Sequence, residues 1–159
     1  MNALSSRPVR VAMVVLLQFV FIGAAVSGQL SARLAGREYL LRVEPLDPID
    51  PFRGAYVALN YQDLDLRREV PGEAGEAFVS LVASGDFWRA GAVTRRRPSA
   101  GPYLACTDSH GQLSCGIESY FLPQGKAKAL EDALRRGVVV ARVNVDGRGH
   151  AALVGVQPR

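Results

Sequence analysis

Arg7-Pro8-Val9-Arg10-Val11-Ala12-Met13-Val14-Val15-Leu16-Leu17-Gln18-Phe19-Val20-Phe21-Ile22-Gly23-Ala24-Ala25-Val26-Ser27 is the stretch that decides the architecture. Two arginines lead into a run, Val11 to Val26, that is apolar or small throughout except for Gln18. The next charge is Arg33, so residues 11–32 are 22 consecutive uncharged positions. Coiled as a helix at ~1.5 Å per residue, that run spans about 33 Å, the thickness of a bilayer's hydrocarbon core. In a soluble domain it would be an all-round apolar helix buried at the very end of the chain, a poor reading. The short arginine-bearing tail predicts that residues 1–10 stay in the cytoplasm while the remainder crosses.

Two outcomes follow for this segment. Ala25-Val26-Ser27 has the small-x-small form of a signal-peptide cleavage site, which would release the chain at about residue 27. The apolar stretch exceeds the ~7–15 residues usual for a cleaved signal, so a retained single-pass anchor over 11–32 is the favoured reading. The two cysteines stand far downstream, at 106 and 115, which excludes a lipoprotein anchor. Either outcome exports the rest.

What is exported is large enough to fold. The chain has 159 residues, 48% hydrophobic and 21% charged, and about 130 of them follow the anchor, enough for one self-sufficient core. The net charge of +4 comes from 19 basic and 15 acidic residues. Removing Arg7 and Arg10 leaves 17 against 15 in the exported part, an excess of two. Nucleic-acid binding needs a larger and clustered excess, so it is not expected.

Cys106 and Cys115 flank a turn-rich stretch holding Gly111, between two short apolar runs. A β-hairpin there would set the two sulfurs opposite each other, and in an oxidising compartment a disulfide is the expected state. Two separate buried thiols are the plainer alternative. A redox pair lacks the CxxC spacing, and Cys106, His110 and Cys115 offer a metal three ligands with no fourth.

Along the exported part, alternation and turn residues predict strands at 38–43, 55–61, 77–83, 87–94, 103–106, 115–122, 138–145 and 151–156. The anchor helix extends to a break near Gly36. Pro45, Pro48 and Pro51 forbid helix and inner strand, making 46–53 a rigid loop. Residues 63–75 read as a polar loop. Ser84-Gly85-Asp86 and Asp146-Gly147-Arg148-Gly149 read as hairpin turns. Lys126 to Arg136 is an amphipathic helix, with Ala127, Leu130 and Leu134 on one face and Gly137 as its stop. The fold class is therefore α+β: an N-terminal transmembrane helix, then a mostly antiparallel β domain over 38–159 carrying one amphipathic helix.

The string Arg53-Gly54-Ala55-Tyr56-Val57-Ala58-Leu59-Asn60-Tyr61 resembles the signature of the bacterial GDYXXLXY family. The resemblance continues in Pro45-Leu46-Asp47-Pro48 and in Gly116-Ile117-Glu118-Ser119-Tyr120-Phe121-Leu122-Pro123-Gln124-Gly125-Lys126, and covers nearly the whole exported part. It implies a single-pass protein of the bacterial inner membrane, its N-terminus cytoplasmic and its domain periplasmic, often encoded beside multi-spanning membrane proteins. It assigns no reaction. Ala55 replaces the aspartate of the family string, so whatever that carboxylate does elsewhere is not done here.

The candidate contact surface is Arg53, Tyr56, Tyr61, Glu118 and Tyr120. Tyr56 and Tyr61 lie on opposite faces of one strand, so one packs in the core with its hydroxyl bonded and the other is available to a partner. Arg53 is a bidentate donor to Asp47 or Asp50, locking the proline loop, or to an external anion. Asp47, Pro48, Gly54, Leu59, Phe121, Pro123 and Gly125 are structural motif positions.

Chemistry has weaker claims. An anchored hydrolase or peptidase of signal-peptidase-like layout needs a serine just past the membrane and a buried lysine. Ser27-Gly28-Gln29 lacks the Ser-Met expected there, and Lys126 and Lys128 begin an exposed helix. His110 and His150 sit at turns, where solvated surface histidines are common. Asp63 and Asp65 read as a solvated edge, and Arg95-Arg96-Arg97 as a solvated loop or a contact for anionic headgroups. The expectation is a non-enzymatic, membrane-tethered accessory domain without cofactor or metal. Its partners are the bilayer, through 11–32, and a multi-spanning membrane protein.

Overall fold

A computed structural model of the chain describes residues 7–45, 56–121 and 139–158. The predicted helix at 126–136, the proline loop and, with them, Asp47, Pro48, Arg53, Gly54, Pro123 and Gly125 lie outside the described residues.

Helix α1 runs from Arg7 to Ala35. An 18-residue window within Pro8–Ala35 has a mean hydropathy of 2.3 and is unburied, so the helix is long and apolar enough to cross a membrane. Leu16, Phe19 and Phe21 stand 66–68% exposed, where a soluble fold would cover them. The helix stops at Gly36, whose N–H bonds the Ala32 carbonyl at 3.0 Å. No linker follows, because β1 (Arg37–Pro45) begins at the next residue.

Among the described residues nine strands form two sheets, every pairing among them antiparallel. After β1 come β2 (Tyr56–Asn60), β3 (Gly75–Ser84), β4 (Phe87–Thr94), β5 (Tyr103–Asp108), β6 (Leu113–Ser114), β7 (Ser119–Phe121), β8 (Val139–Val145) and β9 (Ala151–Pro158). The first sheet has the order β7-β2-β1-β8-β9 and the second β4-β3-β5-β6. One apolar core joins them. Leu41, Val43, Leu59, Val139 and Val143 come from the first sheet, and Ala77, Val79, Leu81 and Leu104 from the second. Tyr39 of β1 meets Trp88 of β4 edge to face, centroids 4.9 Å apart, which fastens sheet to sheet. Valine recurs through β8, whose β-branched side chains suit a strand flanked on both sides, and it sits between β1 and β9.

The α+β layout is as the sequence implied. The β3–β4 hairpin turns on Gly85 and Asp86, with φ +62° at Gly85, a conformation open to glycine at little cost. One expected strand is corrected. Of the expected strand at 115–122, the described residues 115–121 do not run beside 103–106 as a continuous partner. β6 ends at Ser114, and the chain then turns through Gly116 (φ +79°), so that β7 leaves for the other sheet and pairs with β2. The Glu118 carboxylate drives the turn by accepting the backbone N–H groups of Cys115 and Gly116.

Candidate functional site

The end of α1 is not a loose stalk. Its last turns pack on β8 and β9, and Ala32 is fully buried there. Three hydrogen bonds and one ring contact hold it. Ser31 Oγ donates to Asp146 Oδ2 at 2.6 Å. Asn144 Nδ2 donates to the Arg33 carbonyl at 3.4 Å, and Gln29 Nε2 to the Gly116 carbonyl at 3.5 Å. The His150 ring lies over Gly28, so close that a Cβ on that glycine would sit 3.2 Å from the imidazole. Gly36 permits the final approach, since a Cβ there would meet Ala32 O at 2.2 Å and Val145 N at 3.0 Å.

Asp146 organises the β8–β9 turn as well as the helix. It accepts from the backbone N–H groups of Arg148 and His150 at 2.8 and 3.0 Å, and from His150 Nδ1 at 3.0 Å. Burial pushes its pKa up, but the hydrogen bonds from Ser31, His150 and the turn backbone outweigh it and hold the carboxyl down at about 2. Serine, aspartate and histidine thus meet, yet not as a nucleophilic relay. In a triad the hydroxyl faces the imidazole. Here Ser31 donates directly to a carboxylate of very low basicity, so nothing removes its proton. Ser27 is equally occupied, donating to the Ala24 carbonyl one turn back at 2.8 Å. His150, expected as a solvated histidine, is a half-buried partner of Asp146.

Beside α1 lies a groove of about 300 Å³ whose lining includes Gln29, Arg33, Glu118 and Tyr120. Of the expected contact surface, Tyr120 comes here, half-buried against the core. Glu118 lines the groove as well, but its carboxylate serves the Cys115–Gly116 turn. Tyr61 is corrected to the core: it is 2% exposed and donates to the Ile117 carbonyl at 2.7 Å. Burial, aided by the Glu118 charge, raises its pKa well above the phenolic range. Tyr56 and Phe121 are backbone partners in the β2–β7 register, and Leu59 is buried.

Charges expected to be solvated turn out to be clamps. Arg42 of β1 holds Asp63 through two bonds of 2.6 and 2.7 Å, so Asp63 is no solvated edge. Arg95 bonds Asp108 at 2.5 Å and reaches the carbonyls of Val70, Pro71 and Glu76, pinning the 63–75 loop to β5. Arg97 lies over the Phe78 ring at 5.9 Å. A cavity of about 710 Å³ opens beside this loop between Glu69, Glu73 and His110. No group of three or more His, Cys, Asp or Glu able to hold a metal occurs among the described residues.

Cys106 and Cys115 stand opposite each other, with sulfurs at the bonding distance of 2.03 Å and Cα atoms 4.1 Å apart. The register Thr107↔Ser114 and Asp108↔Leu113 places them one step beyond the last paired residues, as the hairpin reading required. The junction of α1 with the β8–β9 turn was not legible in this way. Ser31 and Asp146 are 115 positions apart, and the only signals were a serine late in an apolar helix and an Asp-Gly turn.

The family model described as GDYXXLXY protein matches residues 18–156. No curated protein and no solved structure matches the chain.

Proposed function

The chain belongs to the GDYXXLXY family, and we propose from that premise that it is a single-pass membrane protein whose β domain works outside the cytoplasm as a non-enzymatic, partner-binding accessory subunit. The apolar run of α1 lies in the bilayer of a bacterial inner membrane, and Arg7 and Arg10 keep the N-terminus inside. The domain then stands on the periplasmic side, where Cys106 and Cys115 remain joined.

One observation carries the reading. A helix long and apolar enough to span a membrane passes without a linker into β1 and is clamped to the domain by Ser31–Asp146, Gln29–Gly116 and Asn144–Arg33. Keeping a soluble catalyst near a membrane needs only a flexible tether. A tether without a hinge fixes both the height and the rotation of the domain above the bilayer, which favours contact with a neighbour held in the same plane. The anchored-peptidase alternative has no comparable support, since the hydroxyls of Ser27 and Ser31 are both committed.

The test is chemical crosslinking in intact membranes followed by mass spectrometry, together with protease access to a tag after Arg159. The expected result is a tag reached only from outside and one predominant membrane-protein partner. A tag protected from the outside, or a chain crosslinked to no protein, overturns the proposal.

A further inference from the structure

Gln18 is the one strongly polar side chain between Val11 and Val26, and its direction around α1 is informative. At about 100° per residue, Val14, Gln18, Phe21, Ala25, Gly28 and Ala32 fall on one narrow stripe, their spacing alternating between four and three. The upper end of that stripe is already used: Gly28 lies under the His150 ring and Ala32 is fully buried against the domain. The Gln18 face is therefore the downward continuation of the face on which the domain docks. Gln29, within about 20° of Gln18 around the helix, reaches up to Gly116.

Depth follows from the same helix. Gln29, at the underside of the domain, and Arg10 are about 28 Å apart along the axis, close to the ~30 Å hydrocarbon thickness. Gln18 sits about 16 Å below Gln29, near the bilayer centre. A primary amide there finds neither water nor headgroup, and it both donates and accepts. Such groups are satisfied by hydrogen bonds across helix pairs.

The domain also restricts what can pack there. It overhangs the Gln18 side of α1, with Gly116 and Glu118 to Tyr120, which line a groove with Gln29 and Arg33, as a roof. A second copy set parallel on this face would have to continue upward through its own residues 27–35, into space the roof fills. A helix that stops at the membrane surface meets no obstacle. We infer that the Gln18 face of α1 receives a transmembrane helix of a different membrane protein, one that ends in a short loop beneath the β domain and offers a polar group to Gln18. This rests on the reading that α1 spans the membrane and that the domain serves a membrane partner.

The experiment places a photoreactive amino acid at position 18, or at position 16 on the opposite side of the helix, in the full chain within its native membranes. The expected result is a several-fold higher adduct yield at 18, with the joined peptide drawn from a membrane-spanning segment of another protein. Equal yields, lipid adducts alone, or a peptide from a second copy overturn it. As a second arm, Gln18→Leu, which keeps the helix apolar, should reduce the partner recovered in mild detergent several-fold, whereas Leu16→Ala should not. Full recovery with Gln18→Leu defeats this inference and leaves the accessory-subunit reading standing. If the unaltered chain itself brings down no membrane protein, both readings fall.

Discussion

Ser31 on α1 and Asp146 in the β8–β9 turn are joined by a 2.6 Å hydrogen bond. The same carboxylate organises its own turn through Arg148 and His150. A single side chain thus sets the shape of the terminal hairpin and fixes the helix to it, so a disturbance of the turn reaches the helix directly.

Asp146 makes the junction sensitive to acid. Its pKa falls from 3.8 to about 2 on folding, so its contribution is complete above about pH 4 and is lost as pH drops towards 2. Thermal unfolding of the full chain in micelles between pH 6 and 2 should show that decline, and Asp146→Asn should lessen its slope. Ser31→Ala should cost about 1 kcal/mol at neutral pH. Asp146→Ala strands the two backbone N–H groups and should cost more, about 2–3 kcal/mol. An unchanged acid profile in Asp146→Asn contradicts the assignment.

Gly36 tests whether the join between helix and sheet is rigid. A methyl there would press on Ala32 O at 2.2 Å and Val145 N at 3.0 Å, whereas one at Gly23 would meet nothing within 4 Å. Gly36→Ala should destabilise by about 1–3 kcal/mol and speed amide exchange in β1 and β8. Gly23→Ala should be neutral or slightly stabilising. Matching exchange patterns in the two variants would mean that helix and domain are not tightly packed.

The Cys106–Cys115 bond closes a short hairpin. Replacing both residues by serine should lower stability by about 2–3 kcal/mol, in the loop-entropy view, while leaving the fold intact. Reductant should bring the unaltered chain to the same thermal midpoint as the double variant. A reductant effect that persists in the double variant would place the sensitivity elsewhere.

The elements read most reliably from sequence were those whose signals are local. The uncharged run at 11–32, the turn at Gly85-Asp86, the cysteine hairpin and the alternation of β8 each depend on neighbours within about ten positions. The clamps were hidden because their partners are distant: Arg42 finds Asp63, and Arg95 finds both Asp108 and a loop some 25 residues back. Arg95 and Asp63 each resemble a solvated charge until folding supplies the partner. The passage of 113–121 from one sheet to the other was equally hidden. Apolar alternation continues across Gly116, and only the capture of two N–H groups by Glu118 shows the chain turning. The alternation of Tyr56 with Tyr61 put one of them in the core, but alternation does not state which face is core.

Tyr61 gives a test that reads one side chain directly. Its hydroxyl donates to the Ile117 carbonyl at 2.7 Å in a site only 2% exposed, and burial together with the Glu118 charge opposes ionisation. An acid whose folded pKa lies above its unfolded value of 10.0 contributes fully below about pH 10, and that contribution is lost as pH rises further. Titrating the full chain while recording absorbance near 295 nm should therefore show one of the five tyrosines silent until the protein unfolds. Tyr61→Phe should remove that late step and lower stability by about 1–2 kcal/mol at neutral pH, because the Ile117 carbonyl loses its donor. If all five tyrosines ionise reversibly while near-ultraviolet dichroism stays native, the hydroxyl reaches solvent and does not hold the Ile117 turn against β2.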